Sequence, residues 1–185
     1  MGRMTAAAAL ITMAGALVVG LALASRAHGT VTACKPGVTT VNGVSVRVFC
    51  GAAKATVHVK VGSNPAKTYA FKNGECDRQP KYFDANIGTV VLGVTKKKKP
   101  PYFGLLIGKS PAATSEDPVV AKDGTYTGGL ITIQTGTGAA YDLHGVEQLT
   151  ITLKKNRHAG TFVGKRPGST LFKQPALSVT GSFTC

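Results

Sequence analysis

The last nine residues constrain this chain most. Leu177, Val179, Phe183 and Cys185 fall on one parity, and Ser178, Thr180, Ser182 and Thr184 on the other. A period of two is the signature of a β-strand buried on one face. A chain end frays unless something ties it down, and a bonded terminal cysteine is such a tie. The expectation is a strand that closes a small β-domain and is stapled in place.

The staple has a partner among four cysteines, Cys34, Cys50, Cys76 and Cys185. An even count downstream of an export-type leader predicts two disulfides. Four cysteines allow three pairings, and the spacing leaves all three open. No Cys-x-x-Cys occurs, which argues against zinc ribbons and thioredoxin-like redox sites.

The leader itself is Arg3 followed by an uncharged, alanine- and leucine-rich run from Met4 to Ser25. A basic start, an apolar run and the small-x-small sites Ala22-Leu23-Ala24 and Ser25-Arg26-Ala27 read as a secretory signal over residues 1–27. Residues 28–185 are then the secreted domain, in a bacterial protein. The run is also long enough to stay in a bilayer as an anchor. Val31-Thr32-Ala33-Cys34 has the form of a lipobox, although Arg26 and His28 separate it from the apolar run. Expected locations are therefore the secreted space or the outer face of the cell envelope, with N-terminal membrane anchoring as the alternative.

Along the mature chain, short alternating segments follow one another. Val44, Val46, Val48 and Cys50 alternate with Ser45, Arg47 and Phe49 after Asn42-Gly43, a type I′ turn signal, so a hairpin with Thr39–Val41 is predicted. Further strands are expected at Ala55–Val61, Thr68–Lys72, Tyr82–Val94, Tyr102–Ile107, Leu130–Gln134, Leu149–Leu153 and Thr161–Val163. Asn73-Gly74 reads as a turn, and Gly88 and Gly93 as bends or bulges. Pro100-Pro101 excludes a central strand there, and Ser110–Asp117 reads as a mobile, proline-flanked loop. Outside the leader no helix-length stretch has a 3.6-residue period. The fold class is all-β: an antiparallel β-sandwich, or a barrel-like form, in one disulfide-stapled domain.

Three pieces carry a family resemblance. They are Val48-Phe49-Cys50 leading into Thr56 to Gly62, then Ala121 to Tyr126, and the closing Phe183-Thr184-Cys185. Together they cover about a third of the chain, and the chain resembles the mycobacterial lipoprotein-antigen family of small exported β-proteins. The resemblance implies that an early strand cysteine pairs with the terminal one, hence Cys50 with Cys185 and Cys34 with Cys76. That family's acylated cysteine directly follows its signal, which Cys34 does not.

Catalytic patterns are sparse. His28, His58, His144 and His158 fall in polar or turn-like contexts, no Gly-x-Ser-x-Gly elbow exists, and the only close carboxylates are Glu75 with Asp77 and Glu116 with Asp117. Asp123-Gly124 is a turn, lacking the further acids of a calcium loop. Neither a cofactor nor a metal motif is found. The reading is of a protein that is not an enzyme, with an unrecognised hydrolase as the minor alternative.

Charge is the strongest functional signal. The full chain carries 22 Lys and Arg against 8 Asp and Glu. Such a surface draws anionic polymers or lipid surfaces, and specific nucleic-acid binding is not indicated. The sharpest run, Lys96, Lys97, Lys98 and Lys99 with Tyr102 and Phe103 behind it, could grip anionic groups and offer a stacking ring. Alternatively, it is a solvated loop leading into a buried strand. Lys154, Lys155, Arg157, Lys165 and Arg166 could extend the same face. A second function class is a secreted inhibitor or protein-binding module that uses Ser110–Asp117 as its contact.

Overall fold

The computed structural model describes residues 34–93, 98–111, 118–145 and 148–185. The predicted leader lies outside them, as does most of the Ser110–Asp117 loop. The described residues form twelve strands and no helix: β1 (Gly37–Val41), β2 (Val44–Val48), β3 (Ala53–Val61), β4 (Lys67–Arg78), β5 (Tyr82–Val91), β6 (Tyr102–Gly108), β7 (Gly124–Thr127), β8 (Leu130–Gln134), β9 (Ala140–His144), β10 (Leu149–Lys154), β11 (Ala159–Arg166) and β12 (Leu177–Thr184). The order across the sheet is β7-β10-β11-β12-β3-β4-β5-β6-β8-β9, and β2 joins β5 on a side branch that ends in β1. The architecture is a single antiparallel sheet curled into a half-barrel, the barrel-like form of the expected fold.

The curl follows from the side chains on its inner face. Period-two alternation on β3, β10, β11 and β12 turns one row inward and the other to solvent. Phe83, Phe103, Ile87, Ile107, Ile131, Ile133 and Ile151 are fully buried in one cluster. Phe103 stacks on Phe162 with ring centroids 5.3 Å apart. Large rings fit because glycines face them. Gly160 stands opposite Phe183 and Gly181 opposite Phe162, and a Cβ on either glycine would lie 2.5 Å from the facing ring. The two ends of the sheet approach through β9: a Cβ on Gly164 of β11 would lie 2.6 Å from Leu143 Cδ1.

Two sequence expectations change here. Asn73-Gly74 is no hairpin turn, for β4 runs straight through it. Asn73 has φ 63°, and the β3–β4 register shifts between Ala53 and Ala55. The pair is a bulge where β4 passes from its partner β3 to its partner β5. Gly74 is required there, since a Cβ would come 2.6 Å from Ile87 Cα. β9 was not legible in the sequence, because only Leu143 of its five residues is buried.

The bend expected at Gly88 is present, with φ 98°. Before it, Phe83, Ala85 and Ile87 of β5 enter the main core. After it, Thr89, Val90 and Val91 pair with β2. The β1–β2 hairpin thus hangs from the end of β5, and none of its residues belongs to the main core cluster. Phe49 anchors it, donating its N–H to Gly88 O at 3.0 Å and stacking on Tyr102.

The cysteines pair differently from the implied pattern. The bonds are Cys34–Cys50 and Cys76–Cys185, not Cys50–Cys185 and Cys34–Cys76. Strand register explains both. Val41 faces Val44 and Gly37 faces Val48, so extending the hairpin brings Cys34 alongside Cys50. β3 begins at Ala53, where Lys54 faces Thr184 and Ala53 faces Gly74. Cys185, just after Thr184, comes level with that start and β4 runs past it through Cys76, so the two cysteines meet across the space β3 leaves. With its sulfur bonded to Cys50, Cys34 has no thiol free for a lipid thioether. Disulfides of this kind mark an oxidising, extracellular-type environment.

Candidate functional site

The lysine run divides. Lys96 and Lys97 lie outside the described residues. Lys98 and Lys99 border a groove of about 480 Å³ against the β1–β2 hairpin. Its floor is Val44, Val46 and Val48 of β2 with Val91 of β5, and Val41 stands at its rim, 48% exposed. Alternation explains the floor, since Ser45 and Arg47 point to the opposite face of β2. Pro100 and Gly136 close the groove. Gly136 has φ 74°, and a Cβ there would strike the Pro101 ring at 2.7 Å. Among the described residues, no carboxylate lines the groove.

Tyr102 does not join those lysines as a stacking ring. It is 7% exposed, and its hydroxyl donates to Asn86 Oδ1 at 2.6 Å. Burial, reinforced by the Asp84 carboxylate, pushes its pKa up to about 12. Arg47 lies 5.3 Å above the Phe49 ring, and Phe49 lies 6.0 Å from Tyr102. The three side chains form a stack that ties the hairpin to the main sheet.

Arg157 also serves structure. Lys155, Asn156 and Arg157 all have positive φ in the β10–β11 turn, and the Asp123 carboxylate accepts the N–H groups of Asn156 and Arg157 at 3.0 and 2.7 Å. The guanidinium then reaches inward, donating to the carbonyls of Gln79, Val120, Tyr82 and Arg78. His28 lies outside the described residues; the other three histidines sit on separate elements, all exposed. His58 pairs with Thr68 Oγ1 at 2.8 Å on β3–β4, His158 meets Arg78 in the β10–β11 turn, and His144 ends β9. Asp77 and Asp84 face each other across β4–β5. Asp84 is held above the usual carboxylate range, chiefly by burial.

Sheet order reveals a charge asymmetry invisible in the linear chain. Strands β7, β10, β11, β12 and β3 are consecutive in the sheet, and none contains an aspartate or glutamate. Their outward row includes Lys165, Ser178 and Lys60 side by side at one end, and Lys54 and Lys154 toward the other. Between them Thr125, Thr152, Thr161, Ser182 and Thr56 form one hydroxyl row across five strands. At the Lys60–Lys165 end, a cleft is lined by Lys60, Lys165, Arg166 and Ser178, and the buried Arg166 Nε has no hydrogen-bond partner.

Above that cleft stands the β11–β12 loop. Leu171 and Phe172 at its tip are 81% and 70% exposed. Reciprocal Ser169–Gln174 backbone bonds of 2.8 and 2.9 Å close the loop, and Phe172 N–H donates to Ser169 Oγ. Nothing in the sequence patterning singled out this pair. The fold is that of a disulfide-stapled β half-barrel with a one-sided cationic surface. No family model and no curated protein matches the chain.

Proposed function

We propose that this is a non-catalytic protein of the bacterial cell envelope, exported through its N-terminal leader, that docks on anionic lipid surfaces through the β11–β12 loop. The observation that carries the reading is the exposed Leu171–Phe172 tip, with Lys173 next to it in the loop and Lys60, Lys165 and Arg166 lining the cleft at its base, on strands without a carboxylate. Apolar side chains at a closed loop tip enter the headgroup boundary, and basic residues around them meet anionic lipids. The resemblance to exported lipoprotein antigens agrees with an envelope location.

Co-sedimentation with vesicles tests this. Binding is expected to phosphatidylglycerol-containing vesicles, to weaken at high salt, and to fall by about tenfold or more in Leu171→Ser/Phe172→Ser, which removes two large apolar groups. Equal binding to pure phosphatidylcholine, or unchanged binding by the double variant, overturns the reading.

The hydroxyl row from Thr125 to Thr56 favours a second reading, an anionic envelope polymer laid across the outer sheet face. In that case Lys54→Gln/Lys154→Gln releases the protein from an acidic polysaccharide matrix, while Leu171→Ser/Phe172→Ser does not.

A further inference from the structure

The β1–β2 hairpin presents an apolar face that the main core does not cover. An exposed apolar surface is costly in water unless it has an occupant. Val46 is buried at the bottom of the groove and Val41 is half-exposed at its rim, so the surface is graded from floor to mouth. The groove volume of about 480 Å³ lies in the range of small-ligand pockets, about 300–1,000 Å³. Its charged groups are Lys98 and Lys99, joined by the uncharged polar residues Asn42 and Thr89, and no acid among the described residues lines it to neutralise the lysines.

An apolar trough with cations at one border matches a molecule with an alkyl chain and a single anionic end. We propose that the groove binds a free fatty acid, its chain along Val44, Val46, Val48 and Val91 and its carboxylate paired with Lys98 and Lys99. The remaining lining residues, Asn42, Thr89, Pro100 and Gly136, offer no charge that would select a zwitterionic head. The site is separate from the Leu171–Phe172 tip and stands whether or not that tip meets a bilayer.

The test uses the full mature chain in solution without vesicles, titrated calorimetrically with decanoate, dodecanoate and tetradecanoate below their micelle concentrations. One ligand per chain is expected, with affinity rising about fourfold per methylene, the equivalent of about 0.8 kcal/mol for each buried CH₂. The matching alkyl alcohols are expected to bind more weakly. Lys98→Gln/Lys99→Gln should erase the preference for acid over alcohol while leaving the thermal midpoint unchanged. Val44→Trp, which fills the groove, should abolish binding. If Val44→Trp fails to fold, Val41→Asp at the exposed rim gives the same reading by repelling the carboxylate. Several ligands per chain, equal affinity of the native protein for acids and alcohols, an acid preference that survives the lysine variant, or binding that survives the rim variant overturns the proposal. So does capture of phospholipid vesicles without any binding of the free acids.

Discussion

The two disulfides should contribute unequally, and register determines by how much. Cys76 and Cys185 are 109 residues apart in sequence, and Cys34 and Cys50 only 16. Loop-closure entropy in the unfolded chain grows with the logarithm of this separation. The relation gives about 4.8 kcal/mol for the long loop and about 3.1 kcal/mol for the short one. Location widens the gap. Cys76 and Cys185 pack against the main core, whereas the hairpin held by Cys34–Cys50 contributes no side chain to it. The perturbation is a pair of double variants, Cys76→Ala/Cys185→Ala and Cys34→Ala/Cys50→Ala, compared by urea unfolding under oxidising conditions. The first should lose about 4.8 kcal/mol, equivalent to a fall of about 10–20 °C in thermal midpoint for a domain of this size. The second should lose no more than about 3 kcal/mol, with the cooperative transition of the main sheet preserved. An equal or larger loss from the short loop would refute the reasoning, because neither chain entropy nor attachment to the core would then set the contribution.

Two further outcomes follow from the interior. Asp84 has its pKa raised by burial first, opposed by the N–H of Asp77 and then raised by the Asp77 and Glu75 charges. A raised folded-state value means its protonated form is the more comfortable one, so stability is fullest below the ordinary carboxylate range and declines as pH rises through the raised value. Asp84→Asn should therefore be more stable than the native protein at pH 7 and no more stable at pH 3; urea midpoints that differ equally at both values contradict this. Arg157→Met removes charged donors from the carbonyls of Gln79, Val120, Tyr82 and Arg78, and should cost about 1.5–3 kcal/mol in the same urea assay. A loss below about 0.5 kcal/mol would show that water replaces the guanidinium without penalty.

Much of the fold was legible because the signals were local. Alternation marked β3, β10 and β12, Asn42-Gly43 marked the first hairpin, and the Gly88 bend fell where expected. The first hairpin even contained its own disulfide: a two-residue turn that sets Val41 against Val44 brings Cys34 to within one residue of the position opposite Cys50. The resemblance pointed elsewhere, and the register overruled it. Asn73-Gly74 misled because a left-handed dipeptide serves a bulge as well as a turn, and only the partners of β4 distinguish them. β9 escaped notice because a strand with one buried residue leaves almost no period to detect.

The sequence by itself determined an all-β, twice-bonded, strongly basic chain, since strand period, cysteine count and charge are properties of short segments and totals. Only the tertiary structure decided where the charge lies. Strands far apart in the chain, β3 and β10 to β12, become neighbours, and their shared lack of carboxylates turns a net charge into a face. The same long-range pairing buried Tyr102 and set Lys98 and Lys99 beside the valines of β2. It also raised Leu171 and Phe172 clear of the core. Burial and adjacency depend on which distant segments fill the same space, and no local period encodes that.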